Sequence, residues 1–121
     1  MNEQENRRKF ARLDLALTVS YRVTDEPSQD EFSEVVSSDI SLGGIRLMTP
    51  APLKRGAKLE LEIVLPEDEE NPLRADGEVV WQNKIATASF ETGVVIKGMG
   101  STDKKRFMEF VFDQMSKIVS S

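Results

Sequence analysis

Apolar and polar residues alternate with a period of two from Leu13 onward. Leu13, Leu15, Leu17, Val19, Tyr21 and Val23 share one parity, with Asp14, Thr18, Ser20 and Arg22 between them. Successive side chains of an extended chain point to opposite faces, so this pattern predicts a half-buried strand over 13–23. Residues 24–30 contain Pro27 among Asp and Ser and predict a loop, because proline lacks a donor and the others bond their own backbone. Further strands are predicted at 32–38 and at 45–48, the latter between the Gly43–Gly44 break and Pro50 and Pro52. A fourth lies at 59–65, where Leu59, Leu61, Ile63 and Leu65 share a face. Residues 66–72 read as a solvated acidic hairpin tip. Leu73, Ala75, Val79 and Trp81 share the parity of a fifth strand, and Gly77 within it suggests a bulge or bend. Residues 82–84 read as a turn, and 85–96 as one or two more strands with a possible bend at Gly93.

The period changes at the end of the chain. Phe107, Met108, Phe110, Val111, Phe112, Met115, Ile118 and Val119 fit helical and not strand spacing. A helix of about 102–119 follows, with Ser101, Thr102 or Asp103 able to cap its first turn. Its apolar face is broad enough to pack on a sheet. Six short antiparallel strands with internal glycines favour closure, which removes exposed edges. The expected fold is all-β: a six-stranded antiparallel small β-barrel with one C-terminal α-helix.

At 121 residues with 39% hydrophobic content, the chain has room for one core and one domain. It divides into a flexible basic segment, 1–12, and a barrel domain, 13–121. The chain has neither cysteine nor histidine. Disulfides, thiolate nucleophiles, Ser-His triads and the usual zinc ligands are therefore excluded. No metal site, cofactor or catalytic residue is expected. The net charge of -5 argues against holding duplex nucleic acid by bulk charge, so an anionic partner must meet a local basic patch. The polar start and the lack of a long apolar run predict a cytoplasmic protein without membrane insertion.

Two segments could carry chemistry. Arg7, Arg8, Lys9 and Arg12 concentrate positive charge before the first strand, and Arg8 and Arg12 stand four residues apart. Each guanidinium is a planar fork that fits a phosphate or the O6/N7 edge of guanine. The second segment is Asp39-Ile40-Ser41-Leu42-Gly43-Gly44. The Asp39 carboxylate matches the N1–H and N2–H donors of guanine, and the Ser41 hydroxyl can give and take a hydrogen bond. Gly43 and Gly44 permit positive φ and close approach of a ligand. Taken alone, each segment has a plainer reading, as a solvated tail and as a capped turn. Together they fit a guanine nucleotide carrying phosphates, and no general base stands among them.

Arg8 and Arg12 as R-x-x-x-R, followed by Asp39, Ser41 and Gly44 as D-x-S-x-x-G, resemble the signature pair of PilZ domains, receptors for cyclic di-GMP. The resemblance extends to 77–81, 93–96 and the closing helix. It implies a stand-alone, single-domain member whose ligand lies on the barrel surface, wrapped by the arginine segment. Arg8 and Arg12 would clamp guanine and phosphate, Asp39 would read guanine, and Ser41 with Gly43 and Gly44 would form the floor. Arg7, just before the first motif arginine, implies two ligands per chain as an intercalated dimer. Trp81 matches a position near the ligand in some members, although a single large ring usually serves burial, which favours a barrel-side packing role. Ile96 stands where Phe is frequent.

These features predict a receptor or adaptor. Ligand binding would order residues 1–12 over the barrel and change the surface shown to an unidentified effector protein in trans. The alternative is a ligand-independent PilZ interaction module. An oligonucleotide-binding barrel would need a basic groove with exposed aromatics, which eight mostly core-parity aromatics do not supply. A hydrolase of the dinucleotide would lack histidine and a metal cluster. The glycine spacing at 93–100 fails as a phosphate loop, because Met99-Gly100 stands where Lys-Ser/Thr is required.

Overall fold

The computed structural model describes residues 12–24 and 31–120. The expected flexible segment, apart from Arg12, lies outside the described residues. Six strands run in the order β1 (Thr18–Val23), β2 (Ser33–Ile40), β3 (Gly44–Thr49), β4 (Lys58–Leu65), β5 (Asp68–Ala86) and β6 (Ser89–Met99). A helix, α1 (Ser101–Ser120), follows. All neighbouring strands are antiparallel, and the sheet closes on itself as β1-β2-β3-β6-β5-β4. Alternation explains the closure, since each strand has an apolar face that a ring buries without leaving an edge. Val19, Ile40, Ile45, Leu47, Leu59, Leu61, Ile63, Leu73 and Val79 fill the interior. Phe107, Phe110 and Val111 of α1 are buried with this core.

Several boundaries differ from the sequence reading. The strand predicted from Leu13 begins its ladder at Thr18. Leu13 forms an isolated bridge with Ile40, exchanging both backbone hydrogen bonds at 2.8 and 2.9 Å. Between these points Ser37, on β2, replaces the ladder. Its hydroxyl accepts from Leu17 N at 2.9 Å and donates to Leu15 O at 2.6 Å. The turn predicted at 82–84 is strand, because Gln82, Asn83 and Lys84 pair with Thr92, Glu91 and Phe90. The chain reverses at Thr87 and Ala88 instead. Likewise the acidic tip shrinks to Pro66 and Glu67, with β5 starting at Asp68. Arg106 of α1 holds that corner, donating to Asp68 Oδ2 at 3.1 Å and to Asn71 O at 2.5 Å.

The helix begins with Lys104 N donating to Gly100 O at 2.8 Å. Asp103, an expected cap, instead accepts from Arg74 N and from Arg106. One apolar stripe packs on the barrel, while Met108, Phe112 and Ile118 are exposed. Among the described residues no helix is long and apolar enough to cross a membrane.

Candidate functional site

Two strand irregularities build the site. Along β2, Val35 and Ser37 face inward, and strict alternation would send Asp39 inward as well. The register instead steps from Ser37↔Leu47 to Asp39↔Arg46, which leaves Ser38 as an extra residue. The bulge restarts the alternation one residue late, so Ile40 takes the interior place and Asp39 turns outward beside Arg46. Strand β5 repeats the device. Its register steps from Val79↔Val94 to Trp81↔Gly93, with Val80 as the extra residue. Val79 stays in the core and Trp81 is carried to the outer wall. The core parity predicted for Trp81 is thus corrected: its ring is half-buried on the outside, lying over Gly93. A β-carbon on Gly93 would stand 2.8 Å from Trp81 Cδ1 and closer to Cε2 and Nε1, so only glycine leaves room for the ring.

Arg12 and Asp39, 27 positions apart, meet here. Arg12 donates from Nε to Asp39 Oδ1 at 2.8 Å, with Nη2 at 2.7 Å from the same oxygen. Arg46 Nε lies 3.2 Å from the other oxygen, Oδ2, and its guanidinium carbon stands 5.5 Å from the Trp81 ring centre. A guanidinium at that range is attracted to the ring face. One carboxylate therefore faces two cations, and one of those cations stacks on the only tryptophan.

Ser41, Gly43 and Gly44 border the same place. Ser41 Oγ accepts from Gly44 N at 3.2 Å, and Ser41 N donates to Gly44 O at 2.9 Å, which closes a tight corner between β2 and β3. The positive φ expected at Gly43–Gly44 is not found. Among the described residues Gly56 is the glycine with positive φ, at 91°. Gly44 is required for a different reason: a β-carbon there would sit 2.8 Å from the Val94 carbonyl oxygen of β6. Arg12, Ser41, Gly43, Gly44, Arg46, Trp81 and Gly93 line a cleft of about 380 Å³. Asp39 lies behind this lining, covered by its two cations, with its side chain 9% exposed. Arg7 and Arg8 lie outside the described residues.

Arg46 was missed as a site residue. The signal available was its outward parity between Ile45 and Leu47, one strand from Asp39. A larger cleft of about 530 Å³ over β4 and β5 is lined by Glu60, Glu62 and Asp76 against the single cation Arg74, a net negative wall that opposes an anionic ligand. Among the described residues no group of three potential ligands could hold a metal ion.

A closed six-stranded barrel with a terminal helix, carrying a cationic cleft on its outer wall, defines the class. The PilZ domain profile matches residues 6–113, and the chain belongs to this family. PilZ domains are generally non-catalytic receptors. Among solved structures, the Bacillus subtilis inhibitor of motility (MotI/DgrA) matches with a TM-score of 0.75 at 21% identity, over 92% of this chain and 52% of that one. The chain thus spans about half the length of that relative. The PilZ domain of YcgR from Escherichia coli, solved with c-di-GMP, matches at 0.70 and 14% identity, over 93% and 94% of the two chains. The MrkH–c-di-GMP complex of K. pneumonia matches at 0.71 and 21% identity, over 93% and 53%. At these identities the likeness shows the fold alone. No curated protein sequence matches.

Proposed function

We propose that the chain is a cyclic di-GMP receptor that acts through its N-terminal arginine segment. The observation that carries this reading is the meeting of Arg12 with Asp39 at the mouth of a glycine-floored cleft. Two separate sequence elements, each ambiguous alone, converge there on one ionic contact beside an aromatic face. Solved relatives contain the same ligand on the same fold.

Asp39 holds Arg12 at the cleft. Cyclic di-GMP presents two phosphates and two guanine edges. Arg12 would exchange the carboxylate for phosphate or for guanine O6/N7, and Asp39 Oδ1, once vacated, would accept from guanine N1–H and N2–H. Arg7 and Arg8 add further forks. Charge-assisted hydrogen bonds each contribute about 1.5–3 kcal/mol, so the arginine forks together oppose the cost of ordering the segment on the ligand. The ordered segment would alter the barrel surface, which an effector protein reads in trans. Arg7 supports two intercalated ligands per chain.

Titration calorimetry tests the reading. Saturable heat with cyclic di-GMP and a loss of at least tenfold in affinity in Arg12→Ala are expected. Absence of heat, or unchanged affinity in that variant, refutes it. Arg7→Leu should reduce the ratio from two ligands to one, and an unaltered ratio removes the intercalated pair. The exposed stripe of Met108, Phe112 and Ile118 on α1 favours a second reading, a docking module indifferent to nucleotide. Capture of one partner to the same extent with and without cyclic di-GMP would support that reading instead.

A further inference from the structure

Asp39 cannot be released by Arg12 without consequence. A carboxylate this buried needs a counter-ion, and breaking such a pair from one side is strongly unfavourable. Arg46 stands ready on the other oxygen, but its geometry is incomplete. Its Nε is 3.2 Å from Oδ2 and buried, yet it makes no hydrogen bond. Buried donors without acceptors are rare and call for an explanation. Arg12 meanwhile holds the other oxygen, Oδ1, with two nitrogens, so the carboxylate is anchored from that side.

We propose that Arg46 is a positioning residue for guanine recognition. When Arg12 moves to the nucleotide, the Asp39 carboxylate rotates, Arg46 Nε completes its hydrogen bond to Oδ2, and the carboxylate stays paired while Oδ1 faces the base. Trp81 fixes the plane of the Arg46 guanidinium from beneath, and Gly93 fixes Trp81. Arg46 therefore acts on the base through Asp39 and not through its own contact. This inference rests on the receptor reading above.

The test compares cyclic di-GMP with cyclic di-IMP, which lacks the exocyclic 2-amino group that Asp39 would accept from. In the unaltered chain the guanine ligand should bind at least tenfold more tightly, as expected for a hydrogen bond to a charged acceptor. In Arg46→Met, a change that keeps length and contact with Trp81, the preference should fall below threefold. Arg46→Lys, which keeps the charge, should recover most of it. A full guanine preference in Arg46→Met overturns the assignment. Loss in both variants also overturns it, by showing that a cation at this position does not hold the Asp39 carboxylate for the base. If the unaltered chain binds neither ligand, the receptor reading fails first, and the two failures are told apart.

Discussion

Replacing Gly93 by alanine tests the architecture of the outer wall. The new β-carbon would lie 2.8 Å from Trp81 Cδ1 and nearer to Cε2 and Nε1. Carbon atoms settle at about 3.5–4.0 Å, so the ring must retreat by about 1 Å or leave the wall. Overpacking of this kind costs about 1–3 kcal/mol. Loss of the Arg46 stack adds about 0.5–1 kcal/mol at a partly exposed site. Alanine recovers about 0.5–1 kcal/mol over glycine in a strand interior. The last two terms cancel, so the net expectation is a loss of about 1–3 kcal/mol, read by urea unfolding followed by circular dichroism. The same substitution in a Trp81→Ala background isolates the cause, because the collision then has no partner. There the cost should vanish or turn into a small gain, giving a coupling of at least about 1 kcal/mol between the two positions. Equal losses in both backgrounds would refute the placement of the ring over Gly93, and with it the support assigned to Arg46.

Other positions give independent checks. Gly44→Ala meets the Val94 backbone carbonyl, which cannot rotate away as a side chain can, so a loss of about 1–3 kcal/mol is expected in urea unfolding; a neutral result would contradict the close approach of β3 and β6. Ser37→Ala leaves Leu17 N and Leu15 O without their shared hydroxyl, at a cost of about 1–3 kcal/mol. Amide exchange at Leu17 should quicken in that variant, and unchanged exchange would show that the hydroxyl does not hold residues 15–17. Burial raises the Tyr21 phenol above its ordinary value, while a hydrogen bond with Ser33 opposes the rise. The folded state therefore keeps its proton longer than the unfolded chain, so this contribution is complete below about pH 10 and is lost as pH rises through the folded value. Unfolding midpoints between about pH 8 and about pH 11 should fall less steeply in Tyr21→Phe, and identical slopes would contradict the burial of the hydroxyl.

The strands were legible because their apolar parity is long and regular: β4 was read at 59–65 and runs Lys58–Leu65. The helix was legible because eight apolar residues fit one period and not the other. The turn at Thr87 and Ala88 was not, since Gln82, Asn83 and Lys84 have the composition of a turn yet sit in a ladder. Half-buried side-chain bonds hold Gln82 there, from its Nε2 to Thr92 Oγ1 at 2.8 Å and from Leu53 N to its Oε1 at 3.2 Å. That is tertiary information, outside any local window. The site shows the same limit. Asp39 and Ser41 were found by motif, but the outward turn of Asp39 depends on an extra residue at Ser38, and that of Trp81 on one at Val80. Neither residue type marks a bulge. Gly77, whose glycine suggests a bulge, adjoins a register shift, with the extra residue on the partner strand at Lys97. Its glycine answers a packing demand, since a β-carbon there would meet Val94 and Leu61.

The most direct test of the central claim is an amide and indole chemical-shift map of the chain titrated with cyclic di-GMP. The account predicts saturating shifts at Ser41, Gly43, Gly44, Gly93 and the Trp81 indole, with the Arg12 side chain leaving Asp39. Shifts confined to the Glu60, Glu62 and Asp76 wall, or no shift at ligand excess, would contradict it.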